Sequence, residues 1–131
     1  MEYIKLDDIT TKLFNRFPEE SRQNYIDLAN MELQDIAIRK GVGVDDIVTP
    51  IHHKLKRYAC LYAVALLCED NIGLSNSAGT YDGDQDVYEA TFKRNRYLMQ
   101  SAYKDIVPVM FTGEKQTPLN RAISSQRIIR G

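Results

Sequence analysis

Long apolar stretches are missing from this sequence, and their absence argues against a membrane-spanning helix. The longest mostly apolar stretch runs from Tyr58 to Cys68, far short of the roughly 20 residues that cross a bilayer. The N-terminus, MEYIKLDDITTKLF, contains acids near its start and no unbroken apolar segment of the kind found in signal peptides. We therefore expect a soluble protein that is not secreted.

An excess of positive charge is also missing. The formal net charge is −1 and the pI is about 6.1, so the molecule as a whole has no field that would attract DNA or a membrane surface. The chain has only two cysteines, Cys60 and Cys68, on one predicted helix. Their separation of about 12 Å along that helix is too great for a mutual disulfide. Free thiols are typical of proteins in a reducing cytoplasm.

Sequence motifs for catalysis and metal binding are missing as well. There is no Gly-rich phosphate loop and no Ser-x-x-Lys or Gly-x-Ser-x-Gly nucleophile. Asp82, Asp84 and Asp86 have the alternate spacing of a calcium loop, but Val87 replaces its glycine and Lys93 its bidentate glutamate. The sequence therefore predicts no enzyme activity, no cofactor and no metal site.

Helix-starting and helix-ending residues divide the chain into about four predicted helices. The first covers residues 6–14, the second begins near Pro18 and stops at Gly41, and the third begins at Thr49-Pro50 and ends near Glu69. The fourth starts at Asp84 or Asp86 and continues to about residue 106. Because residues 58–68 are apolar on every side, the third helix is predicted to lie at the centre. No strand alternation is present, so we expect an all-α, compact bundle.

Apolar residues at helical spacing predict which sides of two helices face the core. On the second helix these are Tyr25, Leu28, Ala29, Leu33, Ile36 and Ala37, and on the fourth they are Tyr88, Phe92, Met99, Ala102, Tyr103 and Ile106. Asn95 falls within the second of these stripes and would need a hydrogen-bond partner if buried.

Two segments are too long or too unusual to be simple connections. The stretch DNIGLSNSAGTYDGD exceeds the usual connection of about four to six residues and is a candidate interaction element. Pro108 is expected to end helical order, which gives a helical domain over 1–108 and an extended arm over 109–131. The arm finishes with NRAISSQRIIRG, with three arginines, three isoleucines and no acid. It is too short to bury its own apolar side chains, so a partner is expected to hold it.

Four segments follow one another along the chain: LDDI; ANMELQDIAIRKGV; PIHHKLKRYACLYAVALLCED, with Pro50, Leu55 and Ala59; and DVYEATFKRNRYLMQSA. This succession resembles the head-to-tail connector proteins of tailed bacteriophages, also called adaptor or head-completion proteins. It covers residues 3 to about 106.

That resemblance implies a ring, usually of twelve copies, bound between the portal and the next tail or neck protein. The protein would then be part of the virion at the capsid vertex, assembled in the host cytoplasm. The C-terminal arm would bind the portal through the arginines and isoleucines Arg121, Ile123, Arg127, Ile128, Ile129 and Arg130. The long loop is longer than the usual connection in that family, so its role does not come from the resemblance. It is a second contact candidate, toward a neighbouring subunit or DNA in the ring lumen, with Leu74, Tyr81, Asp82 and Asp84 as its contact residues.

Two other functions stay open at this point. The chain could be a small helical nucleic-acid-binding regulator, with the third or fourth helix and the basic tail against phosphates; binding would then depend steeply on salt. It could also be an interaction module with no role in a phage.

Overall fold

All regular secondary structure in the described part of the chain is helical. The structure is a computed structural model that describes residues 2–72 and 87–113. Its helices are α1 (Lys12–Asn15), α2 (Glu19–Arg39), α3 (His53–Asp70), α4 (Val87–Tyr103) and α5 (Val109–Thr112), with 3₁₀ turns at Leu6–Asp8 and Val44–Asp46. The predicted all-α class is confirmed.

Helix α3 lies at the centre of the fold, as its apolar sequence predicted. Every side chain from Tyr58 to Cys68 is buried or half-buried, and α3 packs against both α2 and α4. The Tyr25 hydroxyl donates to Asp70 Oδ2 at 2.7 Å, which pairs the start of α2 with the end of α3. Asn95 Nδ2 donates to the Leu61 carbonyl at 3.3 Å, so the predicted partner for this buried amide is present. The Tyr103 ring at the end of α4 is 6.0 Å from the Tyr58 ring near the start of α3, so α4 runs antiparallel to α3, as α2 does.

The ends of α2 and α4 approach each other only through long side chains. The rings of Phe17 and Tyr88 are 6.2 Å apart at one end, and Lys40 Nζ lies 4.8 Å from the Tyr103 ring centre at the other. Because α3 lies between the middle parts of α2 and α4, the outward surfaces of these two helices lie on different sides of the molecule.

Helix α2 has the predicted extent but not entirely the predicted core face. Gly41 follows its C-terminal turn with a φ of 86°, a left-handed conformation that glycine adopts without a Cβ penalty. Ile26 and Leu33 are buried, whereas Leu28 is 44% exposed, so the prediction for Leu28 was wrong. Leu28 is about 140° around the helix from Leu33, the middle of the side that packs on α3.

The predicted first helix is divided into two short pieces. Ile9 and Thr11 have extended backbone between the 3₁₀ turn at Leu6–Asp8 and α1, because Ile9 is drawn into the core, where it is 4% exposed. Ahead of it, Asn30 of α2 accepts hydrogen bonds from the backbone N–H groups of Tyr3 and Ile4 at 3.0 and 2.9 Å. The N-terminal segment is thus fixed to α2.

The predicted start of the third helix was also wrong. The helix begins at His53, and the side chain of His52 caps it by accepting from the Lys54 N–H at 3.1 Å. Thr49 and Pro50 lie in the preceding loop and are joined by a cis peptide bond. Ile51 is 8% exposed, so its burial holds the residues before His53 in a loop.

The folded unit continues past the predicted domain boundary at residue 108. Helix α5 follows Pro108 directly, and its Phe111 is 1% exposed. The Val48 N–H donates to the Phe111 carbonyl at 2.8 Å, which ties this segment to the loop before α3. Residues up to Gly113 therefore belong with the helical domain and not with an arm.

Candidate docking surfaces

The contact residues predicted from the sequence lie outside the described part of the chain. This holds for the loop positions Leu74, Tyr81, Asp82 and Asp84. It also holds for the arm positions Arg121, Ile123, Arg127, Ile128, Ile129 and Arg130. The candidate surfaces below are built from other residues.

Helix α2 carries an apolar and acidic stripe on its outward side, which we call the α2 face (Asp27, Leu28, Met31, Asp35 and Ile38). Its members recur at intervals of three and four residues or adjoin such a position, so they share one side of the helix. Met31 is 59% and Ile38 is 58% exposed. Met31 lies about 200° around the helix from the buried Leu33, so this apolar side chain points directly away from the core.

Helix α4 carries a stripe of the opposite charge, which we call the α4 face (Lys93, Arg96, Tyr97, Gln100 and Lys104). Four of these residues are spaced by four, three and four positions, with Arg96 beside them. Tyr97 is 71% exposed, an unusual position for a large aromatic side chain. Asn95, two residues earlier, is buried against α3, which turns Tyr97 to the outside.

A notch of about 340 Å³ opens at the edge of the α4 face. Its apolar lining comes from Tyr58, Met99 and Tyr103, with Arg96 and Lys104 also lining it. The Tyr58 and Tyr103 ring centres are 6.0 Å apart. Burial, reinforced by the charge of Glu32, raises the pKa of Tyr58 to about 12, so this hydroxyl stays neutral at physiological pH.

A third surface is a cleft of about 380 Å³ between α3, α4 and the N-terminal segment, which we call the basic cleft. Three cations line it, Lys56, Arg57 and Arg94, with Asp8 as the single acid. Its apolar lining includes Ile9, Leu61 and Val64, and polar groups come from Thr10, Thr11, His53, Cys60, Thr91 and Asn95. Lys56 Nζ is 3.4 Å from Asp8 Oδ1, whereas Arg57 and Arg94 form no salt bridge with any residue in 2–72 or 87–113.

The thiol in the basic cleft does not have the properties of a nucleophile. Cys60 Sγ lies 3.7 Å from the Asp8 carbonyl oxygen. Burial, followed by the charge of Asp8, raises the pKa of Cys60 to about 11. The thiol is therefore protonated near neutral pH, and only a thiolate attacks electrophiles efficiently.

Neither a metal cluster nor a membrane span is found among the described residues. Within 2–72 and 87–113 no group of three or more His, Cys, Asp or Glu side chains is arranged to hold an ion. None of the described helices is both long and apolar enough to cross a bilayer. Comparison with protein-family models, with curated proteins and with solved structures finds no match to this chain.

Neither outward stripe was predicted from the sequence, because apolar residues at helical spacing were assigned to the core. Met31 and Ile38 recur at helical spacing, as do Ile26 and Leu33 on the other side of α2. Helix α2 thus has two apolar stripes, and the first already faces the core. The second stripe is the sequence signal that could have indicated a docking face.

Proposed function

We propose that this protein is a structural component that assembles head to tail into a ring, as the resemblance to phage connector proteins implies. The observation that carries the proposal is the pair of complementary outward faces on α2 and α4. These faces lie on different sides of the central helix α3, so one copy can use both at the same time.

The two faces are complementary in charge. The α2 face contains Asp27 and Asp35 and no cation, while the α4 face contains Lys93, Arg96 and Lys104 and no acid. Opposite charges on facing surfaces speed association and disfavour pairing of like surfaces. A contact between α2 of one copy and α4 of the next is therefore favoured over a contact between two α2 faces.

The two faces are also complementary in shape and polarity. Met31 projects from the α2 face, and the notch beside the α4 face offers an apolar lining of matching chemistry. Burying the exposed part of this side chain contributes about 1 kcal/mol, since full burial of a methionine is worth about 1.5–3 kcal/mol. Flexible methionines are well suited to filling such irregular spaces.

A contact between two different faces determines the kind of assembly. Such a heterologous contact repeats from copy to copy, and it closes into a ring when the rotation between neighbours divides a full turn. The proposed position of the ring between a portal and a tail component comes from the resemblance. The proposed portal contacts come from the resemblance together with the arm sequence, and they are Arg121, Ile123, Arg127, Ile128, Ile129 and Arg130.

Mixing two variants with different blocked faces tests the head-to-tail contact. Met31→Lys blocks the α2 face by placing a cation against the basic α4 face, and Tyr97→Glu blocks the α4 face by placing an acid against the acidic α2 face. The control, Val107→Glu, adds a charge at an exposed apolar position outside both faces. Mass photometry with and without the purified portal of the same phage measures assembly. We expect multi-copy assemblies from the unmodified chain and from the control, and none from either blocked variant alone.

An equal mixture of the two blocked variants should form a 1:1 pair and nothing larger, because only one good α2 face and one good α4 face remain. Assembly of either blocked variant alone would refute the head-to-tail contact. An unmodified chain that stays monomeric with and without the portal would refute the ring.

One further comparison distinguishes a portal-binding protein from a nucleic-acid-binding regulator. A chain truncated after residue 117 should lose binding to the portal while keeping its folded domain, because the arm supplies the contact. Tight binding of the full chain to duplex DNA with a steep salt dependence, and none to the portal, would favour a nucleic-acid-binding regulator instead.

A further inference from the structure

The basic cleft contains more positive charge than the described residues neutralise. Of its three cations only Lys56 has an acidic partner, Asp8, within the described residues. Arg57 and Arg94 enter the cleft from α3 and α4, on its two helical walls. An anionic ligand placed between them would therefore be held from both sides.

A buried hydrogen-bond acceptor in the same cleft also has no partner among the described residues. Asn95 is 3% exposed and lines the cleft. Its Nδ2 donates to the Leu61 carbonyl at 3.3 Å, which orients the amide and leaves Oδ1 to accept. No residue in 2–72 or 87–113 donates a hydrogen bond to Oδ1. Since buried polar groups are nearly always paired, this atom indicates a ligand with an N–H or O–H donor.

The remaining lining of the cleft selects among anionic ligands. Ile9 and Val64 are each 4% exposed and Leu61 is half-buried, which gives an apolar surface beside the cations. No Phe, Tyr or Trp among the described residues lines the cleft, so these residues provide no large ring on which a base of single-stranded nucleic acid would stack. A ligand of this cleft needs negative charge for the cations and a hydrogen-bond donor for Asn95 Oδ1. An acidic extended peptide has both, because its carboxylates pair with cations and its backbone N–H groups donate.

The chain itself contains such a peptide. Residues 81–86, YDGDQD, carry three aspartates and no cation. In an extended peptide alternate side chains face the same way, so Asp82, Asp84 and Asp86 would form a row of about 13 Å. The part of α3 that lines the cleft, residues 53–64, is about 16 Å long. The row and the cleft therefore match in length as well as in charge.

We propose that the basic cleft of one copy binds the acidic segment 81–86 of a second copy. This contact rests on the self-association proposed above and would join neighbouring subunits at a place separate from the α2 and α4 faces. It also gives the sequence-predicted contacts Tyr81, Asp82 and Asp84 a defined partner.

Binding of a synthetic peptide to the full-length chain tests the proposal. The probe is a fluorescent peptide of residues 79–88, GTYDGDQDVY, with GTYNGNQNVY as the matched uncharged control. The receptor is the chain with Asp82→Asn, Asp84→Asn and Asp86→Asn, so that its own segment does not compete. We expect a Kd of about 10–100 μM for a short peptide and no measurable binding of the control peptide.

Single substitutions in the receptor locate the site. Arg94→Glu should weaken peptide binding about tenfold or more, because it replaces a cation of the cleft by an acid. Lys93→Glu makes the same charge change one residue earlier, outside the cleft, and should change the affinity less than about twofold.

Each alternative result has a defined meaning. Absence of peptide binding, or equal weakening by Arg94→Glu and Lys93→Glu, would overturn the proposal. Displacement of the peptide by duplex DNA or inorganic phosphate at lower concentration would identify a general anion site and also overturn it. If the dilute unmodified chain rejects a peptide that the Asn-substituted receptor binds, the segment occupies its own cleft and the second-copy contact is wrong.

These measurements use dilute, unassembled protein, so they can be read separately from ring formation. A receptor that also carries Met31→Lys should bind the peptide as tightly as the receptor with an unmodified α2 face. If no ring forms but the peptide still binds, the cleft remains a peptide site and only the ring proposal is refuted. If a ring forms but the peptide does not bind, only the proposed cleft contact is refuted.

Discussion

Replacement of Asn30 by alanine tests directly how the N-terminal segment is held. Asn30 Oδ1 accepts hydrogen bonds from the backbone N–H groups of Tyr3 and Ile4, and its Nδ2 donates to the Ile4 carbonyl at 3.3 Å. Asn30 is 4% exposed and Ile4 is fully buried at 0%. Asn30→Ala therefore takes the partner away from three backbone groups that water cannot easily reach.

The expected loss of stability is set by the smaller of the costs of two responses of the segment. If it stays in place, each unpaired backbone group costs about 1 kcal/mol or more, or about 3 kcal/mol together. If it detaches, the side chains of Tyr3 and Ile4 leave the core, at about 1.5–3 kcal/mol each. Alanine's higher helix propensity offsets about 0.5 kcal/mol. We expect the free energy of unfolding to fall by about 2–3 kcal/mol, a large part of the stability of a typical domain.

Urea unfolding followed by circular dichroism measures this change, with Asn24→Ala as the matched control. Asn24 lies on the same helix but is exposed, so its replacement should alter the free energy of unfolding by less than about 0.5 kcal/mol. Hydrogen exchange at the amides of Tyr3 and Ile4 should accelerate in Asn30→Ala alone. A loss below about 1 kcal/mol with unchanged exchange at these amides would show that the hydrogen bonds of Asn30 do not hold the segment.

Two further predictions concern a turn and a buried hydroxyl. Gly41→Ala should lower the free energy of unfolding by about 1 kcal/mol, because a φ of 86° is costly with a Cβ although no atom lies within 4 Å of it. Gly43→Ala should cost less in the same urea titration, because the φ of Gly43 is −71° and its Cβ would meet only the Asp46 side chain. The pKa of Tyr58, raised from 10.0 to about 12, means that the unfolded chain loses this proton first as pH rises. The stability contributed by the neutral hydroxyl is complete below pH 10 and is lost towards pH 12. The free energy of unfolding of Tyr58→Phe should therefore decline less steeply over that pH window than that of the unmodified chain. An identical decline would contradict the raised pKa of Tyr58.

Local chemistry in the sequence was enough to predict the number, order and centre of the long helices. Gly41 stops α2 because its own backbone permits a left-handed conformation, and the apolar residues from Tyr58 to Cys68 require burial wherever they lie. The need of Asn95 for a partner was likewise predictable, since an amide within an apolar stripe must be paired whatever the fold. These properties depend on a residue and its near neighbours along the chain.

The basic cleft could not be predicted in the same way, because it depends on where distant residues meet. The basic cleft brings Asp8, Lys56 and Arg94 together from three separate segments, and nothing in their spacing along the chain indicates that they are neighbours. The contact residues that were predicted from sequence lie instead in 73–86 and 114–131, outside the described residues.

By itself the sequence determined that this chain forms an all-α fold around one apolar helix, because helix periodicity and helix-ending residues act locally. Only the tertiary structure decided which of two apolar stripes on α2 is buried, that Ile9 and Ile51 interrupt or delay helices, and that residues 109–113 return to the core. In each case the deciding energy is the burial of a side chain against a distant part of the chain, and that energy exists only once the helices have packed together.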